Sequence, residues 1–170
     1  KRGHALYQRT VTFFEAIRLG FENYFNFSGR AQRAEYWWFV LFTIIGTILT
    51  TILDQMVFGT GDDGGPATAL FSIAVFIPTL SAGWRRLHDT GRSGLWILLP
   101  YAGLIWMIAA VIVVGINSDG DAAGATAIGG TLGFFALLIW VVVMLCQDSD
   151  ETTNRYGPSP KYDETAFDFY

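Results

Sequence analysis

Arg85-Arg86-Leu87-His88-Asp89-Thr90-Gly91-Arg92-Ser93-Gly94 is a polar, turn-forming stretch with a single Leu, held between two long apolar runs. Ala67 to Trp84 precedes it and Leu95 to Ile116 follows it. A soluble helix keeps a polar face toward water, and these flanking runs have almost none. The stretch is therefore a charged connection between two buried or membrane-crossing helices. Further out the pattern repeats, giving four apolar runs at Tyr36 to Phe58, Pro66 to Trp84, Leu95 to Ile116 and Ala125 to Cys146. At about 1.5 Å of rise per residue, each can cross a hydrocarbon core of roughly 30 Å. The expected fold is an all-α membrane protein, with four transmembrane helices preceded by an amphipathic interfacial helix and followed by an irregular acidic tail.

Composition agrees. The chain is 52% hydrophobic and 15% charged, against about 25% charged in an average soluble domain. Its mean hydropathy is +0.37. Three parts follow: residues 1–35 as an N-terminal segment, 36–146 as the transmembrane domain and 147–170 as a tail. Lys1 to Thr10 is basic, but no short apolar run with a small-residue cleavage site follows, so no signal peptide is expected.

Within the first part, Val11, Phe13, Phe14, Ile17, Phe21, Tyr24 and Phe25 recur at helical spacing between Thr10 and Phe25. Thr10 or Thr12 can cap this helix, and Ser28-Gly29 ends it. Its aromatic face suits the membrane interface; the alternative is packing on a soluble partner domain. Tyr36-Trp37-Trp38 opens the first long run as an interfacial aromatic belt. Pro66 fits a first helical position, whereas Pro78 is internal and should free the carbonyl of Ala74. Gly129 and Gly133 form a small-xxx-small pair that permits close helix contact. Gln147 to Tyr170 is polar, acidic and punctuated by Pro158 and Pro160. It is expected to stay irregular unless a partner orders it.

Charge sorting sets an orientation. Of eleven Lys and Arg, six precede the first run, three lie in the central stretch and two in the tail. The other two connections carry Asp62, Asp63, Asp119 and Asp121 and no basic residue. With four crossings, both termini and the central stretch share one side, and the positive-inside rule makes it the cytoplasm. The expected location is a bacterial inner membrane.

Few residues can carry chemistry. His88-Asp89 is the one adjacent acid–base pair, but neighbours in sequence orient each other poorly, and catalysis needs an orienting group and a substrate within reach. Arg85, Arg86 and Arg92 can hold phosphate through their guanidinium forks; at an inner leaflet the nearest phosphates are anionic lipid headgroups. Arg30, Arg33 and Glu35 lie just before the first run and join His88 and Asp89 as candidates for headgroup or partner contact. Asp54 is the one ionisable residue inside an apolar run, which invites a transport role, although it lies near the end of that run, where interfacial water is within reach. Cys146 stands alone, so no Cys-based metal site can form. Gly91-Arg92-Ser93-Gly94 lacks the spacing and preceding strand of a nucleotide phosphate loop. No cofactor, metal or nucleic-acid partner is expected.

Four stretches carry a family resemblance: Phe27-Ser28-Gly29-Arg30-Ala31-Gln32-Arg33-Ala34-Glu35-Tyr36-Trp37-Trp38-Phe39, Pro78-Thr79-Leu80, the stretch from Arg85 to Gly94, and Asn154-Arg155-Tyr156-Gly157-Pro158. In that order they resemble the bacterial inner-membrane proteins designated domain of unknown function 805. One departure is Leu95, where that family usually has Trp; Trp96 can take over its anchoring role. The resemblance implies a small multi-helix inner-membrane protein and supplies no activity. The functional expectation is a non-enzymatic accessory or scaffold subunit that binds another membrane protein or complex. The alternatives are a small transporter or channel subunit using Asp54 and Pro78, a lipid-headgroup-binding protein, and an enzyme acting on headgroups at His88.

Overall fold

The computed structural model describes residues 10–59, 64–117 and 120–161. It contains five α-helices: α1 Phe13–Glu22, α2 Arg33–Phe58, α3 Pro66–Asp89, α4 Leu99–Asn117 and α5 Gly120–Cys146, with a 3-10 turn Gly94–Leu98 leading into α4. Among the described residues there is no strand, and one isolated bridge joins Asn154 to Gly157. Among the described residues, four stretches are long and apolar enough to cross a membrane: Arg33–Phe58, Pro66–Asp89, Gly94–Ile112 and Ile128–Cys146.

Helix boundaries differ from the sequence reading in all four spans: α4 begins at Leu99 after the 3-10 turn rather than at Leu95, α5 begins at Gly120 rather than Ala125, and the other two changes fall at the charged stretches. α2 begins at Arg33 rather than Tyr36, and α3 runs on through Arg85, Arg86, Leu87 and His88 to Asp89 rather than stopping at Trp84. The charged decapeptide is thus half helix. Charge did not end α3 because its last turns meet protein partners instead of lipid. The stop comes at Thr90-Gly91, where Gly91 takes φ 69°, a left-handed conformation that suits glycine.

α2 packs chiefly on α3 and α4 chiefly on α5, while α3 touches α5 and the 3-10 turn to join the two pairs. α2 and α3 approach closely at Gly46, where a Cβ would sit 2.1 Å from the ring of Phe71. In the second pair the expected contact is corrected. Gly129 and Gly133 face open space, and the close approaches are at Gly103, toward Leu137 and Phe134, and at Gly130, toward Ala110 and Met107. At one end of the molecule Tyr36, Ala82, Leu87, Val141, Met144 and Leu145 form the buried apolar cluster. α3 is the central post: nine of its ten buried residues lie from Pro78 onward.

α1 is capped by the Thr12 hydroxyl, which accepts from the Glu15 N–H. The face it buries is small, Ala16 and Gly20. A Cβ on Gly20 would lie 2.3 Å from the Phe39 ring. Phe14, Phe21 and Phe25 are exposed. The aromatic residues of the face expected at the membrane interface divide: Phe21 reaches the rings of Phe39 and Phe42 at its edge, and Phe14 and Phe25 are exposed. Pro78 leaves Ala74 without its usual helical donor, and the Tyr24 hydroxyl supplies one at 2.9 Å. The Ser81 hydroxyl donates to the carbonyl of Asn23 at 3.0 Å. These two bonds tie the end of α1 to the proline-bearing part of α3.

Candidate functional site: a buried charged rim

Three of the four sequence stretches, those around Arg30, from Arg85 to Gly94 and from Asn154 to Pro158, meet at one end of the helices. Asp89 lies at its centre, fully buried. Arg30 Nε donates to its Oδ1 at 2.9 Å, and Arg86 Nη1 donates to its Oδ2 at 2.5 Å. Arg86 stands one turn before Asp89 on the same face of α3, as residues three apart must. Arg30 arrives from the segment before α2, which the Ala31 N–H pins to the carbonyl of Arg85 at 3.1 Å. Each carboxylate oxygen therefore holds a different arginine, and the acid joins two segments 59 residues apart.

The remaining guanidinium donors close the rim. Arg86 donates from Nε to the carbonyl of Leu145 at 3.1 Å and from Nη2 to that of Gln147. Both acceptors lie at the C-terminal end of α5, where helix carbonyls lack intrahelical donors and carry partial negative charge. Arg33 reaches the carbonyl of Cys146 at 3.5 Å, and Arg92 donates to the side-chain oxygen of Gln147. Arg30 spends its other donors on the carbonyls of Asp150, Thr152 and Gly157, at 2.6, 2.8 and 3.1 Å.

Those carbonyls belong to the tail, which is irregular as expected over its described residues. Among its described residues the tail has no helix or strand, and residues 148–158 are held by the chain's own rim. The Asp150 N–H donates to the carbonyl of Asp89 at 3.1 Å. The Asn154 amide donates to the carbonyl of His88 at 3.0 Å. The Tyr156 ring stacks on the His88 imidazole at 3.6 Å with an interplanar angle of 3°. Arg155 lies over the other side of this small stack, 4.7 Å from the Tyr156 centroid. Lys161 Nζ holds the Asp148 carboxylate at 3.0 and 3.1 Å. That ammonium, with the Ser149 N–H, holds the Asp148 carboxyl below the usual carboxylate range.

His88 is buried with Nδ1 3.1 Å from the carbonyl of Gly29. A carbonyl only accepts, so this nitrogen carries the proton. Its sequence neighbour Asp89 is committed to two arginines and does not orient the ring. Glu35, also buried, accepts from Arg85 Nη1 at 2.7 Å. Of the eight charged candidates, Arg30, Glu35, Arg85, Arg86, His88 and Asp89 lie inside the protein, while Arg33 is exposed and Arg92 half-buried. Among the described residues no cluster of His, Cys, Asp or Glu could hold a metal ion.

Asp54 is far from this rim. Its side chain is buried, and its oxygens accept from the N–H groups of Gly65, Ala67 and Thr68 at 2.9, 2.9 and 2.8 Å. These are orphan donors at the start of α3. The intramembrane acid is thus a capping group lent by the neighbouring helix, which also locks the α2–α3 hairpin. The local sequence gave no sign of it, because Gly65 and Pro66 offer α3 no capping side chain of their own.

The family model described as "Protein of unknown function (DUF805)" matches residues 24–158, which include every rim residue described above except Lys161. The inner membrane protein YhaH of Escherichia coli K12 is 34% identical over 145 residues, covering 82% of this chain and 91% of the relative. The inner membrane protein YhaI of the same organism is 32% identical over 142 residues, covering 83% and 91%. No solved structure matches the chain. The chain belongs to the DUF805 family.

Proposed function

We propose that this chain is a four-span inner-membrane protein with both termini in the cytoplasm, serving as a non-enzymatic accessory or scaffold subunit that binds another membrane protein or complex. The inner-membrane placement is supported by the names of the two Escherichia coli relatives and by four helices able to span. The orientation rests on the positive-inside rule applied to eleven basic residues.

The observation that carries the functional reading is the bareness of α2. Its buried residues are Glu35, Tyr36, Phe39 and Asp54, all near its two ends. Between Val40 and Leu53 none is buried, and Leu41, Ile44, Ile45, Ile48, Leu49, Ile52 and Leu53 are exposed. In lipid such a face is covered either by tails or by a partner helix held through close packing, and the reading assigns it to a partner. The threonines at 43, 47, 50 and 51 donate to carbonyls of their own helix. They leave a smooth apolar face on a helix whose ends are anchored. The transporter alternative loses support, because Asp54 is consumed in capping α3 and the carbonyl freed by Pro78 is taken by Tyr24.

The test is extraction from native membranes into polymer-bounded discs, followed by native gel and identification of co-migrating chains. The expected result is an assembly larger than the lone chain, lost when Ile45 and Leu49 are both replaced by Trp. Wild type migrating as the lone chain would remove the reading.

A further inference from the structure

We infer that Arg85 forms an anion site, taking a phosphate group in a polar cavity beneath α1. The cavity has a volume of about 270 Å³, and its walls include Asn23, Asn26, Ser28, Arg30, Glu35 and Arg85. Arg85 is almost wholly buried and uses one nitrogen, Nη1, on Glu35. Its Nε and Nη2 are buried and have no hydrogen-bond partner. A guanidinium presents its donors in a planar fork that fits two oxygens of a phosphate. One half of that fork is engaged by Glu35, and the other half has no partner among the described residues.

Charge points the same way. The buried rim holds three guanidiniums, Arg30, Arg85 and Arg86, and two carboxylates, Glu35 and Asp89. Arg30 and Arg86 share Asp89 and place their remaining donors on carbonyls of the tail and of the α5 terminus. Those carbonyls also balance part of the positive charge. Among the described residues Arg85 meets no such carbonyl, and Glu35 pairs with it one to one. Water in the cavity could satisfy the free N–H groups, but the rim as a whole still carries three guanidiniums against two carboxylates, and unbalanced buried charge is costly. An anion satisfies both. Glu35 lines the same cavity and repels an anion, so the ligand sits on the Nε/Nη2 side of the fork. The wall also offers the neutral polar groups of Asn23, Asn26 and Ser28. The phosphate can belong to a lipid headgroup or be a free one, since the recognising chemistry is the same.

The site is independent of the accessory-subunit reading, and two arms test it. In the first, purified full-length protein in maltoside micelles is titrated with inorganic phosphate and its thermal unfolding followed. In the second, it is placed in phosphatidylcholine discs with and without phosphatidic acid, then delipidated and examined for retained lipid. Wild type should bind saturably in at least one arm. The charge-neutral pair Glu35→Gln/Arg85→Gln should lose binding at least tenfold, and Glu35→Gln alone should bind about threefold or more tighter. A response to inorganic phosphate assigns a free anion; retention of phosphatidic acid without that response assigns a headgroup. If wild type responds in neither arm, or the double variant responds equally, the proposal is overturned. Should the double variant fail to fold, Glu35→Gln decides, and affinity equal to or below wild type overturns the site.

Discussion

The hydroxyl of Tyr24 donates a 2.9 Å hydrogen bond to the carbonyl of Ala74, the group that Pro78 deprives of its helical partner. A defect in the backbone of one helix is thereby repaired from a segment fifty residues earlier in the chain. In the middle of a long apolar helix such an orphan carbonyl has little water to turn to.

That pairing makes a coupled expectation. Tyr24→Phe should lower stability by about 1–2 kcal/mol, the usual cost of leaving a polar group unsatisfied. Pro78→Ala restores an N–H for Ala74, so adding Tyr24→Phe to it should cost much less. Thermal unfolding of the four proteins in one detergent reads the cycle. Equal costs in both backgrounds would mean that the bond does not serve the proline.

Close packing of α1 on α2 depends on Gly20. A Cβ there would lie 2.3 Å from the Phe39 ring, which is fully buried and cannot swing aside freely. Gly20→Ala should therefore loosen α1, costing about 1–3 kcal/mol as overpacking does. Phe39→Leu in the same chain should recover part of the loss. Limited proteolysis between residues 10 and 30 reports the loosening. Unchanged protection in Gly20→Ala would show that α1 docks elsewhere.

Asp54 should behave as a cap and not as a transport residue. Asp54→Ala strips three backbone N–H groups of their acceptor, and Asp54→Asn keeps part of that capacity. The melting temperature should fall in the order wild type, Asn, Ala. If Asp54→Asn melts with wild type while Asp54→Ala also does, the cap contributes nothing and the residue is free for another role.

The spans and their order were legible in the sequence because hydrophobic length is a direct physical requirement of the bilayer. Charge placement also brought Arg30, Arg85, Arg86, Glu35 and Asp89 under suspicion together. What was not legible is that charge can be helical when it is buried with partners. Trp84 looked like an end because Arg85 follows it, yet α3 continues for five residues into a protein-lined rim. The docking of Tyr156 on His88 was equally hidden. Its one signal was the Asn154 to Pro158 motif, whose Gly157 takes φ 127° at a turn. Which distant carbonyls a guanidinium collects is set by tertiary approach, and no local pattern records it.

The central claim is that Asp89 holds three segments together: the stretch around Arg30, the end of α3 and the tail through residue 157. Hydrogen exchange of Asp89→Asn against wild type in micelles tests it most directly. Losing the carboxylate leaves two buried guanidiniums short of a counter-ion, a change that typically costs about 3–5 kcal/mol. Peptides covering residues 28–32 and 150–157 should lose protection together, while the α4–α5 pair around Gly103 and Gly130 keeps its own. Wild-type protection in both of the first two peptides would contradict the account.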